Sequence, residues 1–382
     1  MKLILKLISF VRSPRVARAT ARLVGLSGVC LLLSVLGLLG WRSHRQAEVA
    51  ASLAIHSSGG IDESRFVKIG GIDQWVQIRG ESSANPVLLV LHGGPGASFI
   101  PYTRLFREWE RHFTVVLWDQ RGTGQTYTRN TLPDSRTMTI DRMTADGLEI
   151  TAYLRARLHQ DRIMLLAHSW GSVLGVGMVA TRPGWYSAFV GTGFIVSELP
   201  DWIAAFDILL ANVRAAGDET ALRALTAIGP PPYVDSHAQK IHDRWIHRYD
   251  TLEEKNLSSL ARMLAFTHPR YSLTDIHNFY ESAEFSERII RDELYAYDAR
   301  TRPMQFDVPI VIVEGTEDMV TPAAYIRRYF DDIRAPAKSF ALVRGGGHSV
   351  IVTRPAEFLD SMLNALKLVR VPLWQAPTSR PH

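Results

Sequence analysis

The chain has 382 residues, 46% of them hydrophobic and 21% charged, with one cysteine and a formal charge of +5. Those values exclude a disordered or collagen-like chain, and the single cysteine, Cys30, excludes a disulfide framework, a cysteine-based zinc site and an iron–sulfur cluster. The charge is unevenly placed: eight Lys or Arg and no acid precede Glu48, leaving 35 bases against 38 acids in the remainder, so the body is mildly acidic and nucleic acid is excluded as its partner.

Residues 23–41 (LVGLSGVCLLLSVLGLLGW) carry no charge over 19 positions. As a helix this run spans about 28 Å, close to the roughly 30 Å hydrocarbon core of a bilayer. Six bases precede it and only Arg42 and Arg45 follow closely, so the positive-inside rule predicts a basic cytoplasmic segment over 1–22 and the remainder outside the cytoplasmic membrane, periplasmic or extracellular. Within that basic segment, residues 1–11 suggest a short helix lying along the headgroups, and a plain signal-sequence n-region explains them as well. A cleaved signal peptide and a buried core helix are the competing readings; the length of the run and its lopsided flanks favour an uncleaved anchor. Residues 42–65 are small and polar, with Ser57-Ser58-Gly59-Gly60, and read as a tether.

Residues 66–69 and 75–79, separated by Gly70-Gly71, read as a hairpin. Short apolar runs at 87–91, 114–118, 163–166, 189–196, 309–313 and 340–343 read as strands buried on both faces, and 139–158 and 171–181 show helical periodicity. This alternation predicts a mostly parallel sheet with helices on both faces, an α/β fold over 66–197 and 303–370. Amphipathic helices over 198–302 read as an inserted cap, and 371–382 as a C-terminal tail.

The first buried run ends in His92-Gly93-Gly94-Pro95-Gly96, where adjacent glycines let backbone N–H groups approach a ligand. Gly94 is the preferred donor of an oxyanion hole, with Gly93 second and the N–H of Trp170 as the other half. In the segment LLAHSWGS, Ser169 stands between the small residues Ala167 and Gly171 at the end of a strand, the spacing of a nucleophile elbow. A serine hydroxyl needs a base and an orienting acid. Asp318 follows the strand at 309–313, with Glu314 and Glu317 competing for its role, and His348 follows the strand at 340–343. Serine, then acid, then histidine, each acid or histidine just past a strand, is the chain order expected on this fold.

HGGPG at 92–96, WDQRGTGQT at 118–126, HSWGS at 168–172, GTED at 315–318 and GGGHS at 345–349 together resemble the proline iminopeptidases within the α/β-hydrolase superfamily, over about residues 66–370. The resemblance implies hydrolysis through an acyl-enzyme, with Ser169 as nucleophile, His348 as base then acid and Asp318 orienting it, under a helical cap. It also implies that Arg121 of the DQRGTG loop forms a structural ion pair. Proline iminopeptidases hold the substrate's free amine with cap acids near a tryptophan-rich segment; the nearest counterpart here is residues 244–250 (RWIHRYD), which leaves Trp245, Asp250, Glu281 and Glu284 as candidate substrate contacts.

The expected substrate is therefore a small peptide that loses its N-terminal residue, proline favoured. An ester, lactone or amide without a free amine is the first alternative, and a tethered, non-catalytic binding module the second. His237, His242 and His247 recur five apart and do not share a helix face as zinc ligands would, and no P-loop lysine accompanies Gly345–Gly347. No metal and no cofactor are expected.

Overall fold

The computed structural model describes residues 14–130, 137–233 and 236–371. The amphipathic segment expected over 1–11, and all but the first residue of the expected tail, lie outside the described residues.

The chain divides into two compact units. The first holds helix α1 (Pro14–Ser52, 39 residues) together with Phe266–Arg270. Its stretch Gly25–Ser52 is long and apolar enough to cross a membrane, and Leu31, Leu36 and Trp41 are exposed along it. Within this unit Trp41 stacks on Phe266 at 6.2 Å, and Arg42 and Gln46 donate hydrogen bonds to the carbonyls of Phe266 and His268. The expected tether at 42–65 is corrected here, because α1 continues to Ser52 and a strand begins at Ile61. Residues 42–52 are rich in Ala, Arg, Gln and Glu, good helix formers, and Glu48 pairs with His44 and Arg45 one turn back.

The second unit is an eight-stranded sheet in the order β1-β2-β4-β3-β5-β6-β7-β8. Strands β1 (Ile61–Ile69) and β2 (Ile72–Gly80) form the expected hairpin across Gly70-Gly71, and β2 runs antiparallel to β4 (Thr114–Trp118). The rest are parallel: β3 (Val87–Leu91), β5 (Ile163–His168), β6 (Tyr186–Thr192), β7 (Ile310–Gly315) and β8 (Lys338–Val343). Along β3, Val87, Leu89 and Leu91 join one core cluster while Leu88 and Val90 join the other. That alternation explains why these strands read as unbroken apolar runs: both faces are covered. One cover includes α3 (Ile140–Leu158) and α4 (Trp170–Thr181), and the other α12 (Pro355–Leu368). α2 (Gly124–Arg129) and α10 (Ala323–Asp332) flank the sheet, and a single helical turn, α11 (Val350–Thr353), leads into α12.

Strand β6 starts three residues before its expected position and stops at Thr192, because residues 193–197 turn away to serve as hydrogen-bond donors near the site. Between β6 and β7 lie α5 (Glu198–Ala215), α6 (Glu219–Ile228), α7 (Ser236–Tyr249), α8 (Leu252–Thr267) and α9 (Leu273–Tyr295), the helices expected for the insertion. A capping box between Ser272 and Asp275 starts α9. Phe206, Leu209, Val213 and Leu225 form a small core of their own, joined by Met319 from the loop after β7.

Candidate active site

Ser169 sits between β5 and α4 with φ 52° and ψ −123°, a backbone conformation that non-glycine residues rarely adopt. Its surroundings over-determine this bend. The Ser169 N–H donates to the Thr192 carbonyl at 3.0 Å, and the Ser172 hydroxyl donates to the Ser169 carbonyl at 2.7 Å while accepting from the N–H of Ile195. A side chain at Gly171 would overlap the carbonyl of Leu91, so only glycine lets α4 pass β3 this closely. Ala167 lies against Gly175 on the next turn of α4, which fits the small residue expected there.

The structure brings Ser169, Asp318 and His348 together from three separate loops. His348 Nε2 lies 3.0 Å from Ser169 Oγ, and His348 Nδ1 lies 2.9 Å from Asp318 Oδ2. Asp318 is held in turn: its Oδ1 accepts from the N–H groups of Val320 and Thr321 at 2.8 Å, and its Oδ2 from the Thr321 hydroxyl at 2.9 Å. Burial works against a charged imidazole, but Asp318, backed by Glu254 and Glu314, outweighs it and raises His348 to about 9. Burial likewise opposes ionisation of Asp318, and the His348 charge and hydrogen bond override it, so that carboxyl lies below the usual range.

The two competing acids go elsewhere. Glu314, in β7 and fully buried, accepts the N–H groups of Gly193 and Phe194 just past β6, at 2.7 and 3.1 Å. Glu317 is exposed, and its carboxylate accepts only from the neighbouring Thr316 hydroxyl at 3.2 Å.

The His92–Gly96 loop closes over the bend. A side chain at Gly93 would reach within 3.0 Å of Ser169 Cβ and 2.7 Å of His168 Nδ1, so the Gly93 backbone lies directly beside the serine. The Gly93 carbonyl faces into the loop, accepting from Ala97 N–H at 3.2 Å and from His92 Nδ1 at 2.9 Å.

Arg121 pairs with Asp146 at 2.8 Å, both buried, as expected of a structural ion pair.

Two cavities lie under the cap with Trp202 in the wall of each. The larger, about 260 Å³, is lined by His242, Asp250, Met319 and Val320 among others, so it adjoins the loop that carries Asp318. The smaller, about 90 Å³, is bounded by Gly94, Pro95, Glu198 and Glu287. Of the candidate cap contacts, Asp250 lines the larger cavity. Glu281 and Glu284 are exposed on α9, and Trp245 packs at the edge of the cap core with Arg248 over its ring at 6.0 Å. None of these three lines either cavity.

Four residues near the site were not legible from sequence. Glu198 is only 8% exposed, and its burial, eased by His348, raises it to about 7. Glu254 accepts the N–H of Ser349 at 2.5 Å. His168 is buried against Phe99 and bonds the His348 carbonyl at 3.1 Å; burial, then the His348 charge, lowers it to about 3, so it stays neutral. Gln120 bonds both His92 and Trp170. Sequence signals existed for three of them: Gln120 and His168 stand inside the WDQRGTGQT and HSWGS motifs, and Glu198 is an acid just past a strand at the entrance to the insertion.

This arrangement can activate a hydroxyl by proton transfer, with the Gly93 backbone beside the serine. Residues 86–355 match the family model described as the alpha/beta hydrolase fold. The chain is 30% identical over 306 residues to the probable aminopeptidase YbaC of Bacillus subtilis, spanning 78% of this chain and 93% of that relative. It is 24% identical to a proline iminopeptidase of Lactobacillus delbrueckii subsp. lactis, over 78% and 95% of the two chains. The crystal structure of a proline iminopeptidase-related protein from Thermus thermophilus superposes with a TM-score of 0.58 at 20% identity, covering 82% of this chain and 99% of that one.

Proposed function

The chain belongs to the α/β-hydrolase family and is proline iminopeptidase-like within it, and we propose that it is a serine hydrolase working through an acyl-enzyme to release an N-terminal residue, proline favoured, from small peptides. The observation that carries this reading is the 3.0 Å approach of His348 Nε2 to Ser169 Oγ with Asp318 behind it. In the proposed cycle, His348 takes the proton of Ser169 as Oγ attacks the scissile carbonyl, and Asp318 supports the imidazolium that forms. The N–H groups of Trp170 and of the glycine loop receive the developing oxyanion; we place Gly93 ahead of Gly94 because its backbone lies against Ser169. His348 then protonates the departing amine, and a water activated by the same imidazole releases the acyl group.

For the amine we propose Glu198, a buried carboxyl in the cavity beside Gly94 and Pro95. A substrate ammonium entering there would meet an acceptor in a low-dielectric pocket, where the pairing is strongest. One observation favours a second reading, hydrolysis of an acyl substrate without a free amine. Glu198 is only 8% exposed, and burial, which disfavours its charged form and raises it to about 7, suits it to a neutral polar group as well as to an ammonium. We further propose that α1 is retained as a membrane anchor, with the N-terminus cytoplasmic and the hydrolase unit on the other side.

The test is labelling with a fluorophosphonate followed by peptide mapping. One adduct on Ser169 is expected; an unlabelled, folded wild-type protein would favour a non-catalytic binding module instead.

A further inference from the structure

We propose that Gln120 is a positioning residue that sets the oxyanion hole by clamping its two halves together. This deepens the serine-hydrolase reading above and rests on it.

Gln120 follows β4, and in the sheet β3 lies between β4 and β5. Its side chain therefore has to cross the end of β3, where the His92–Gly96 loop begins, to reach α4. It does so with both ends of its amide in use. Nε2 donates to the His92 carbonyl at 3.2 Å, and Oε1 accepts the indole N–H of Trp170 at 2.9 Å. Its own backbone N–H donates to His92 Nε2 at 3.3 Å, while the other ring nitrogen of His92 donates to the Gly93 carbonyl at 2.9 Å. Gln120, His92 and Trp170 are each at most 1% exposed, so no solvent can substitute for these bonds.

The link to the oxyanion hole is geometric. The His92–Gly93 peptide is trans and planar, so its C=O and N–H point in opposite directions. Fixing the His92 carbonyl on Gln120 therefore fixes the Gly93 N–H on the opposite side. The second donor, the backbone N–H of Trp170, belongs to the residue whose indole the same amide holds. One neutral side chain thus orients both N–H groups. Glutamine suits the task because it must donate at one end and accept at the other; a carboxylate would set lone pairs against the His92 carbonyl, and an apolar side chain would leave two buried polar groups unpaired.

The experiment compares Gln120→Leu, Trp170→Phe and the double variant with wild type and Ser169→Ala, using a chromogenic aminoacyl substrate and phenylboronic acid, which forms a tetrahedral adduct on an active serine. Each single variant should lose 10- to 100-fold in kcat with KM within twofold. Affinity for the boronic acid should fall by the same factor, while inhibition by the free amino-acid product stays unchanged. Because Gln120→Leu already removes the bond to the Trp170 indole, the double variant should be little worse than Gln120→Leu alone. Trp170→Phe keeps the ring, and carries the test if Gln120→Leu does not fold. Wild-type kcat and boronate affinity in the folded variants, or losses confined to KM, would overturn the role of Gln120 while leaving the serine reading intact. Undiminished turnover by Ser169→Ala would instead remove the reading on which it rests.

Discussion

Asp318 Oδ2 and His348 Nδ1 face each other at 2.9 Å, with the carboxylate also accepting three hydrogen bonds from Val320 and Thr321. The aspartate charge raises the imidazole above its ordinary 6.5 despite burial, toward 9. In the proposed cycle His348 acts as base in its neutral form, which is populated as pH rises through that raised value. The free-enzyme profile of kcat/KM should therefore climb with pH and level off on the alkaline side of 6.5. Asp318→Asn removes the charge, so the limb should move to lower pH while kcat falls by about 10³–10⁴-fold. A limb that stays in place in the variant would contradict the coupling.

Gly171 is the second prediction. Adding a methyl group forces it into the Leu91 carbonyl, where two packed elements cannot both move. Gly171→Ala should cost about 1–3 kcal/mol in urea unfolding. Gly184→Ala, where nothing lies within 4 Å, should stay within about 0.5 kcal/mol.

Glu198 is the third. Glu198→Gln should raise KM for aminoacyl substrates and leave the N-acetylated analogues unaffected. In the wild type the carboxyl ionises as pH rises through about 7, so KM for amine-bearing substrates should fall across that range. Glu281→Gln and Glu284→Gln, both exposed, should change neither substrate class. If N-acetylation does not impair wild-type turnover, recognition of a free amine is wrong and the second reading stands.

Much of this was legible in the chain because its signals are local. Strands covered on both faces must be apolar throughout, so β3, β4 and β5 show as short runs of Val, Leu and Ile. Ser169, Asp318 and His348 each follow such a run, and the fold fixes their order. Residues whose roles depend on distant partners left no comparable mark. Gln120 meets His92 and Trp170, 28 and 50 positions away. Among the cap acids, position on an amphipathic helix does not tell a carboxylate facing a cavity from one facing solvent: Glu281 and Glu284 proved exposed, while Glu198 was buried. The polar composition of 42–65 concealed the end of α1 and the start of β1, since alanine and charged residues serve a helix as well as a tether.

The proposed membrane anchor gives a fourth prediction. The full chain should remain with membranes after an alkaline carbonate wash, with residues 23–41 still present by mass spectrometry, and a reporter fused after His382 should be active only outside the cytoplasm. Loss of the apolar run from the mature protein would mean a cleaved signal instead.

The central claim is tested most directly by replacing the hydroxyl at the bend. Ser169→Ala should fold with wild-type secondary structure, take up no fluorophosphonate, and lose about 10⁴-fold or more in kcat on an aminoacyl substrate. A folded Ser169→Ala protein that turns over substrate at the wild-type rate would contradict the account.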